Sequence, residues 1–540
     1  MQSHPQEPRS RRAFFSLTAS VGAAAGLVAT LSACAPAGTG GTTNTTAASG
    51  AGSASADGKI LAAISYELGT NGYDPMTTSA AVTIAANWHT MEGLTELDPV
   101  TKKGYAALAK ELPKADGTTV DVALRDGATF HDGSKVTADD VVYSFERVLD
   151  KANASLYSQF IPFVDKVTKK DETTVTFTLK HPTGLFADRL AVVKIVPKAA
   201  VEKDKKAFDA NPIGTGAYKM TDSGAVSKKV VFERFDAYNG PKPAKAKSME
   251  WQIIPDAATR TNAIQSKSVQ VIDSVPYLSI EQLKASATVE SVQGFGLLFA
   301  MFNNGANNPF NNVKNRQAFL YAIDMNKVIA TGLLGQGEAA TSFLQTSHPQ
   351  YQKASTVYAL DAEKAKSLFA ETGLKKFRLL CTNHDWVQKV TPIIQESLTA
   401  VGVEVEFEQK QSADVYNTID SNPNAFDVVI APGDPTVFGN DPDLLMRWWY
   451  AGDTWTEKRM HWKGTPSYTK VQELLKKGLE ATDEGTQKST WGELFNLLSE
   501  EVPLYPLFHR KAPTAWDPNT LVDFKPIAVT FAFVGVGSTK

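Results

Sequence analysis

The sequence predicts an α/β protein with more than one lobe, and three observations support this. Strand and helix patterns alternate along the chain, and one C-terminal stretch has the pattern of a complete strand–helix–strand unit. Roughly 480 of the 540 residues follow a polar N-terminal segment, which is more than one hydrophobic core usually serves. Hydrophobic residues at 43% and charged residues at 21% are ordinary for a soluble globular protein.

The N-terminus has the pattern of an export signal spanning residues 1–33. Arg11 and Arg12 precede an uncharged apolar run over residues 17–31, which is shorter than the roughly 20 residues of a spanning helix. The arginine pair resembles the twin-arginine motif, although an ordinary positively charged leader fits as well. The run ends at Leu-Ser-Ala-Cys, which resembles a bacterial lipobox. We therefore expect Cys34 to carry a lipid.

Residues 34–57 consist almost wholly of Ala, Gly, Ser, Thr and Pro. This composition cannot bury enough apolar surface to offset its ordering entropy, so it predicts a flexible tether. The net charge of -3 gives no indication of nucleic-acid binding. Cys34 and Cys381 are the two cysteines of the chain, so no disulfide is expected once Cys34 is lipidated. Cys381 lies in an apolar stretch, which predicts a buried thiol.

The first part of the folded chain shows two half-buried strands with a helix between them. Apolar residues alternate in 119–124 and again in 174–179, as in strands with one wet face. Thr137 has the pattern of a helix N-cap with Asp140 three residues later, and apolar residues follow at helical spacing. We expect this helix to pack one face on the sheet.

The C-terminal half shows the strand–helix–strand pattern most fully. A helix is predicted from Asp361 to Gly373, and a second helix is predicted to begin at Thr391-Pro392 and to end at Gly402. The predicted strands of this region are residues 377–381, 403–407 and 426–431. Short connections between these elements indicate a βαβ unit and therefore a parallel sheet.

Seven sequence blocks occur in the order found in one family. The chain resembles the extracellular solute-binding proteins of family 5, the oligopeptide-, dipeptide- and nickel-binding group. The blocks are Tyr73–Pro75, Glu92–Leu94, Leu124–Gly133, Thr137–Phe145, Asn211–Tyr218, Asn315–Phe319 with Ala322–Asp324, and Val502–Tyr505.

The resemblance implies a type II, cluster C periplasmic-binding-protein fold, in which two α/β lobes are joined by two crossing strands. An extra domain is inserted in the first lobe. Carried onto this chain, lobe I comprises 58–80, 211–300 and 505–540, the inserted domain 81–210, and lobe II 301–504. The crossings then fall near residues 297–302 and 505–509, both of which are apolar runs suited to buried strands.

The resemblance also implies what the chain does. Such a protein captures a solute, most often a peptide, in the cleft between its lobes and hands it to the permease of an ATP-driven importer. We expect a monomer anchored to the outer face of the cytoplasmic membrane, with no catalysis, no cofactor, no metal site and no nucleic-acid partner.

The sharpest candidate for a ligand contact is Asp434, which follows Gly433 at the end of a predicted strand. Peptide-binding members of the family place an aspartate here for the ligand's α-amino group, although Asp434-Pro435 alone also fits a simple turn. Other cleft candidates are Tyr66, Glu67, Asn303, Asn304, His384 and Trp386. Dipeptide binders of the family resemble one another in having an arginine near 384–388. None occurs here, which favours longer peptides.

Several alternatives to a peptide ligand stay open at this point. A cluster of aromatic residues could form the platforms of an oligosaccharide site, although helix packing is the simpler interpretation; it comprises Trp448, Trp449, Tyr450, Trp455 and Trp462. A nickel chelate would favour His384, and the family scaffold also serves heme. A secreted serine hydrolase is a remote alternative, because Ser467 and Lys470 fit an S-x-x-K pattern without its usual partner motifs.

Three further residue sets have structural interpretations. Gly214 and Gly216 suit a tight turn into a strand and lack the spacing of a phosphate-binding loop. His131 beside Asp132-Gly133 is expected to pack or to lie on the surface. Arg316, on a helix predicted to begin near Asn311, is expected to pair with a carboxylate.

Overall fold

The structure is a computed structural model that describes residues 52–69, 72–481 and 483–540. The predicted export signal, with Arg11 and Arg12, and the predicted lipidation site Cys34 lie outside these residues. Within the described ranges, no helix is both long and apolar enough to cross a membrane.

The described residues form eighteen strands and fifteen α-helices. The strands are β1 Lys59–Ile64, β2 Thr95–Leu97, β3 Gly104–Ala106, β4 Thr119–Ala123, β5 Val164–Asp171, β6 Thr174–Leu179, β7 Tyr218–Ser223, β8 Lys229–Arg234, β9 Ser248–Ile253, β10 Val271–Ile272, β11 Thr288–Phe302, β12 Gly337–Ala339, β13 Lys376–Thr382, β14 Glu404–Lys410, β15 Val428–Gly433, β16 Leu504–Trp516, β17 Leu521–Val522 and β18 Gly537–Ser538. The helices are α1 Ala81–Thr90, α2 Ala138–Leu149, α3 Phe186–Leu190, α4 Lys198–Lys203, α5 Lys205–Ala210, α6 Ala257–Gln265, α7 Ile280–Leu283, α8 Val313–Ala322, α9 Met325–Lys327, α10 Ala362–Thr372, α11 Asp385–Ala400, α12 Ser412–Ser421, α13 Pro442–Tyr450, α14 Pro466–Glu480 and α15 Glu484–Glu501.

Two long antiparallel strands, β11 and β16, lie in the middle of the main sheet and join its two halves. The strand order is β14-β13-β15-β11-β16-β10-β1-β9-β8-β7, and β12 also pairs with β16. In the second-lobe half, β13 runs parallel to β14 and β15. In the first-lobe half, β1 runs parallel to β9 and β10. The predicted α/β architecture with two crossing strands is confirmed, and both apolar runs lie within these strands.

The predicted βαβ unit is also present. Asp361 caps α10 by accepting a hydrogen bond from Lys364 N over 3.0 Å, and Gly373 ends it at a φ of 74°. A side chain is strained in this left-handed region, so glycine suits the position. β13 and β14 then pair in parallel, with Phe377 opposite Val405.

The predicted start of the next helix is wrong. α11 begins at Asp385 and carries Pro392 in its interior. Proline there forfeits one backbone hydrogen bond, to the carbonyl of Gln388. The buried side chains of Val387 and Val390 continue the apolar face on the N-terminal side of the proline. Their packing outweighs the local signal for a helix start.

In the predicted inserted domain (81–210), the strand and helix signals are confirmed. β4 and β5 both pair antiparallel with β6. Asp140 Oδ2 accepts from Thr137 N over 3.0 Å at the start of α2. Phe145 of α2 packs edge-on against Phe177 of β6 with ring centroids 4.9 Å apart, so the helix covers one face of this small sheet.

Gly214 and Gly216 let two backbone segments approach closely. A Cβ on Gly214 would lie 1.9 Å from Thr90 O, and one on Gly216 would lie 2.4 Å from His89 O. No side chain fits at either position, so the structural interpretation of this motif is confirmed. Cys381 is buried and free, also as predicted.

The folded body begins before the predicted end of the tether. Ser55 N donates to Ser538 O over 2.8 Å, and Arg234 Nη1 donates to Ala56 O over 2.8 Å. These bonds hold the backbone against β18 and β8. The tether therefore ends before Ser55 rather than at Asp57.

The buried apolar side chains form separate clusters. One lies in the first-lobe half around Trp251, and another in the second-lobe half around Phe319. The largest runs from Phe177 in the predicted inserted domain to Trp449 and Trp491 in the second lobe. In this structure the predicted inserted domain thus shares a core with the second lobe.

Candidate functional site

The candidate site lies where the carboxyl ends of parallel strands from both lobes meet the two crossing strands. β13 and β15 end there in the second lobe, and β1 and β10 end there in the first. Ligand sites of α/β sheets form at this edge because loops there leave a crevice. Leu297 of β11 lies opposite both Gly433 of β15 and His509 of β16, which fixes the register at the site.

Asp434 follows directly after β15 and has one carboxylate oxygen without a partner. Its Oδ1 accepts from Thr436 N over 3.0 Å and from Thr436 Oγ1 over 2.5 Å. Its Oδ2 is buried and has no hydrogen-bond partner among the described residues. Burial raises the pKa of Asp434, while the bonds from Thr436 act in the opposite direction. Asp434 therefore shapes the local turn and also retains a free acceptor.

Gly433 is required at its position by packing. A Cβ there would lie 2.5 Å from Trp449 Cζ2. Trp449 is fully buried and packs edge-on to Phe299, so its ring cannot move aside cheaply. The glycine and the tryptophan together fix the backbone that carries Asp434.

Lys102, in the loop before β3, crosses from the predicted inserted domain to the Asp434 turn. Its Nζ donates to Thr436 O over 3.1 Å. Burial lowers the pKa of Lys102 to about 8, although the charges of Asp434 and Asp98 act against this. The site thus holds a buried lysine whose charge interacts with that of Asp434.

Arg510 of β16 is the central cation of the site, and the sequence analysis missed it. Its guanidinium lies 4.7 Å from the ring centroid of Trp386, and the hydroxyls of Tyr66 and Tyr277 are close enough to interact with it. Burial raises the pKa of Tyr66 to about 12, so its hydroxyl keeps its proton at neutral pH. The available signal was the charged pair Arg510-Lys511 inside the largely apolar run 504–516.

His384 lies beside the same arginine. Its Nδ1 is 3.2 Å from Thr382 Oγ1. Burial, together with the charge of Arg510, lowers the pKa of His384 to about 4. A neighbouring guanidinium disfavours a second cation, so the surroundings of His384 argue against a nickel ligand there.

The structure brings together five of the eight predicted ligand-contact residues: Tyr66, His384, Trp386, Gly433 and Asp434. Asn303 and Asn304 lie at the opposite end of β11, because β15 runs antiparallel to it. The Asn303 side chain donates to the carbonyls of Pro423 and Phe426, and that of Asn304 donates to Phe302 and Met460. Glu67 is exposed. We leave these three out of the proposed site.

The tryptophan cluster is mainly core. Trp449, Tyr450, Trp455 and Trp462 are each less than 5% exposed. Partly buried Trp448 stacks on Phe160 of the predicted inserted domain, with centroids 6.1 Å apart. These rings are occupied by protein contacts, so they do not offer open faces to a sugar.

The hydrolase pattern does not form a nucleophile–base pair. Ser467 Oγ accepts from Trp462 Nε1 over 2.9 Å, while Lys470 Nζ pairs with Glu473 at 3.2 Å. Lys470 is thus held by a neighbouring carboxylate on the surface of α14.

The structural interpretations of His131 and Arg316 are confirmed. His131 Nε2 lies 2.9 Å from Gly216 O, and its ring packs edge-on against Phe235. Arg316 Nη2 lies 3.7 Å from Glu501 Oε2, and its Nε donates to the Glu501 carbonyl over 2.9 Å.

Comparison with known proteins agrees with this architecture. The chain is 27% identical over 340 residues to the glutathione-binding protein GsiB of Escherichia coli strain K12. That match covers 62% of this chain and 66% of GsiB, just under two thirds of the relative's length.

Solved structures show the same two-lobed fold. The dipeptide-binding protein of Pseudoalteromonas sp. SM9913, in complex with Met-Leu, superposes with a TM-score of 0.78 at 21% identity, covering 89% of this chain and all of that one. The oligopeptide-binding protein AppA of Bacillus subtilis, in complex with a nonapeptide, gives 0.77 at 20% identity, covering 88% and 97%.

A family model matches residues 103–468, more than half of the chain. Its description is bacterial extracellular solute-binding proteins, family 5 middle. This range includes α13, β11, β15 and the Asp434 turn. The chain therefore belongs to the bacterial extracellular solute-binding proteins of family 5.

Proposed function

We propose that this chain captures peptides between its two lobes and delivers them to the membrane permease of an ATP-driven importer. The observation that carries the proposal is the buried Oδ2 of Asp434, which has no partner among the described residues and lies at the junction of both lobes. A buried carboxylate oxygen without a hydrogen bond is costly. A ligand ammonium would satisfy it.

The ligand class is supported by the relatives. The similar proteins named above are described with glutathione, with Met-Leu and with a nonapeptide. Each of these ligands carries an amino group and at least one carboxylate. Asp434 and Arg510 supply the opposite charges at one place in this chain.

Closure of the lobes would couple capture to delivery. Lys102 of the predicted inserted domain donates to Thr436 O of the Asp434 turn, and Arg510 interacts both with Tyr66 of predicted lobe I and with Trp386 of predicted lobe II. A ligand that touches both lobes at once favours the closed form, because those contacts exist only there. The permease would then recognise the closed surface, and the transport step needs no covalent chemistry from this chain.

The membrane location of the chain is proposed from its N-terminus. After export, a lipid on Cys34 would hold the folded body at the outer face of the cytoplasmic membrane. The small, polar residues up to Ser55 would let the body reach a permease as a monomer.

Native mass spectrometry of the purified chain, followed by calorimetry, tests the proposal. We expect a copurified peptide, or binding of at least one member of dipeptide and pentapeptide libraries. Cello-oligosaccharides and nickel–histidine should not bind. Binding of sugars or nickel–histidine with no response to either peptide library would overturn the proposal.

A further inference from the structure

A cavity lies beside the Asp434 turn, where three predicted regions of the chain meet. Its walls come from predicted lobe I at Pro75 and Thr78, from α1 and the loop before β3 in the predicted inserted domain, and from predicted lobe II at residues 436–438. The cavity measures about 40 Å³, which is room for about three water molecules. Because both lobes supply walls, the cavity is complete only while the lobes are together.

Asn87 of α1 lines this cavity and has an acceptor without a partner. The residue is 3% exposed, and its Nδ2 donates to Tyr73 O over 2.9 Å. Its Oδ1 is buried and has no hydrogen-bond partner among the described residues. Turning the amide over would set Oδ1 against the Tyr73 carbonyl oxygen, so this bond fixes which atom is free. A buried acceptor without a hydrogen bond is costly, and a donor beside it would remove that cost.

Lys102 supplies a donor to the same cavity. Its Nζ donates to Thr436 O over 3.1 Å and lies 5.9 Å from the centroid of the Trp88 ring. The charges of Asp434 and Asp98 act on it through space, without a hydrogen bond. An ammonium has three protons, so the one bond that it makes among the described residues leaves two for another acceptor.

The other charged groups in the wall neutralise each other. Lys194 Nζ lies 2.5 Å from Glu96 Oε1 and 2.6 Å from Glu96 Oε2, and Gly93 N donates to the same Oε1 over 2.7 Å. Apolar side chains cover much of the remaining wall, among them Ile84, Leu97 and Phe438. The cavity therefore offers one free acceptor and one cationic donor in largely apolar surroundings, which fixes a small polar group by a few directed bonds.

We propose that this cavity receives the carboxamide end of a glutamine or asparagine side chain of the captured peptide. A carboxamide is uncharged and combines an acceptor, for Lys102 Nζ, with a donor, for Asn87 Oδ1. Its three heavy atoms match the space of about three waters. A cationic side chain would meet the charge of Lys102. A carboxylate would turn an acceptor toward Asn87 Oδ1.

The Asp434 turn connects this cavity with the site described above. Thr436 N donates to Asp434 Oδ1 over 3.0 Å, while the carbonyl oxygen of Thr436 accepts from Lys102. A peptide held at Asp434 would thus lie beside the cavity, with a side chain directed into it. This inference rests on the proposed function and adds a side-chain preference to it.

Native mass spectrometry with equimolar dipeptide and pentapeptide libraries tests this preference. At one position of the retained peptides, we expect glutamine or asparagine to be enriched about 10- to 100-fold over methionine, glutamate and lysine. Methionine has nearly the shape of glutamine without its hydrogen bonds. Lys102→Met and Asn87→Leu should each lose most of the enrichment over methionine. Lys103→Met, which changes the exposed lysine next in sequence, should keep it.

The outcomes separate this inference from the proposed function. Equal retention of glutamine and methionine peptides by wild type overturns the carboxamide preference, even if a variant fails to fold. Stronger retention of glutamate than of glutamine also overturns it, because the charge of Lys102 would then decide alone. Enrichment that persists in folded Lys102→Met and folded Asn87→Leu places the selection elsewhere and has the same consequence. Peptide capture stands in all three cases, whereas retention of neither library removes the proposed function itself.

Discussion

Arg189 of α3 donates from Nη2 to Asp443 Oδ2 of α13 over 2.9 Å, which joins the predicted inserted domain to the second lobe. The same guanidinium donates to Asp441 Oδ1 over 2.5 Å, and Asp443 also accepts from Arg447 Nε over 2.8 Å. The Arg189 and Asp443 side chains are at most 1% exposed. A buried network of ion pairs therefore joins these two regions in addition to their shared apolar core.

Arg189→Met is expected to lower the free energy of unfolding by about 3–5 kcal/mol, because it leaves the buried charge of Asp443 only partly compensated. Urea titration followed by circular dichroism measures the change. Lys470→Met, which removes an exposed lysine paired with Glu473, is the control and should have little effect. A loss below about 1 kcal/mol in Arg189→Met would show that the network does not stabilise the fold.

Gly296→Ala is expected to weaken ligand binding while the protein stays folded. The new Cβ would crowd Asp434 Oδ2, and relieving such overpacking costs about 1–2 kcal/mol, or roughly 5- to 30-fold in affinity. Calorimetry with the ligand found by mass spectrometry measures this. Gly117→Ala, where a Cβ meets open space, should bind like wild type. Unchanged affinity in Gly296→Ala would show that ligand binding does not use the space beside Asp434 Oδ2.

Acid is expected to destabilise the fold through His89. Phe533 N donates to His89 Nε2 over 2.9 Å, so the ring proton is on Nδ1, which donates to Ala85 O over 2.7 Å. Burial lowers the pKa of His89 from 6.5 to about 4. The unfolded chain therefore binds the proton first as pH falls. The stabilisation that depends on neutral His89 is fully present above pH 6.5. As the pH falls from 6.5 to about 4, the free energy of unfolding decreases.

Between pH 6.5 and pH 5, protonation of His89 in the unfolded chain lowers the free energy of unfolding by about 2 kcal/mol. Guanidinium unfolding at pH 7 and pH 5 measures it in wild type and in His89→Gln. The variant should show a smaller difference between the two pH values, whatever its absolute stability. An equal difference in both proteins would assign the acid sensitivity to other groups.

Cys34→Ala is expected to release the protein from the membrane fraction, because the thiol that would carry the lipid is gone. Fractionation of cells and metabolic labelling with a fatty-acid analogue measure this. Cys381→Ala serves as the control, since that thiol is buried in the second lobe. Label on Cys34→Ala, or continued membrane association, would contradict the proposed anchor.

Local patterns predicted the elements of the fold well. The alternation in β14 and the cap and glycine that bound α10 are signals within a few residues of the chain, so their structure followed directly. Pro392 misled the prediction because a local helix-start signal competed with the buried faces of Val387 and Val390 on the same helix. Tertiary packing decided that case.

The candidate site was predictable only in part. Asp434 was found because a strand, a glycine and an acid are contiguous in the sequence. Arg510 was missed because its role depends on the pairing of β16 with β11, whose residues are more than 200 positions apart. Asn303 looked equally well placed, but the antiparallel direction of β15 puts it at the far end of the strand. Register and direction are properties of the assembled sheet.

Capture of the ligand's amino group by Asp434 is tested most directly by calorimetry with a bound peptide and its N-acetylated form. Wild type should bind the free amine about 10- to 100-fold more tightly than the acetylated peptide. Asp434→Asn should lose this difference, whereas Asp414→Asn, an exposed aspartate on α12, should keep it. If Asp434→Asn binds the free peptide as tightly as wild type does, Asp434 is not the amine anchor.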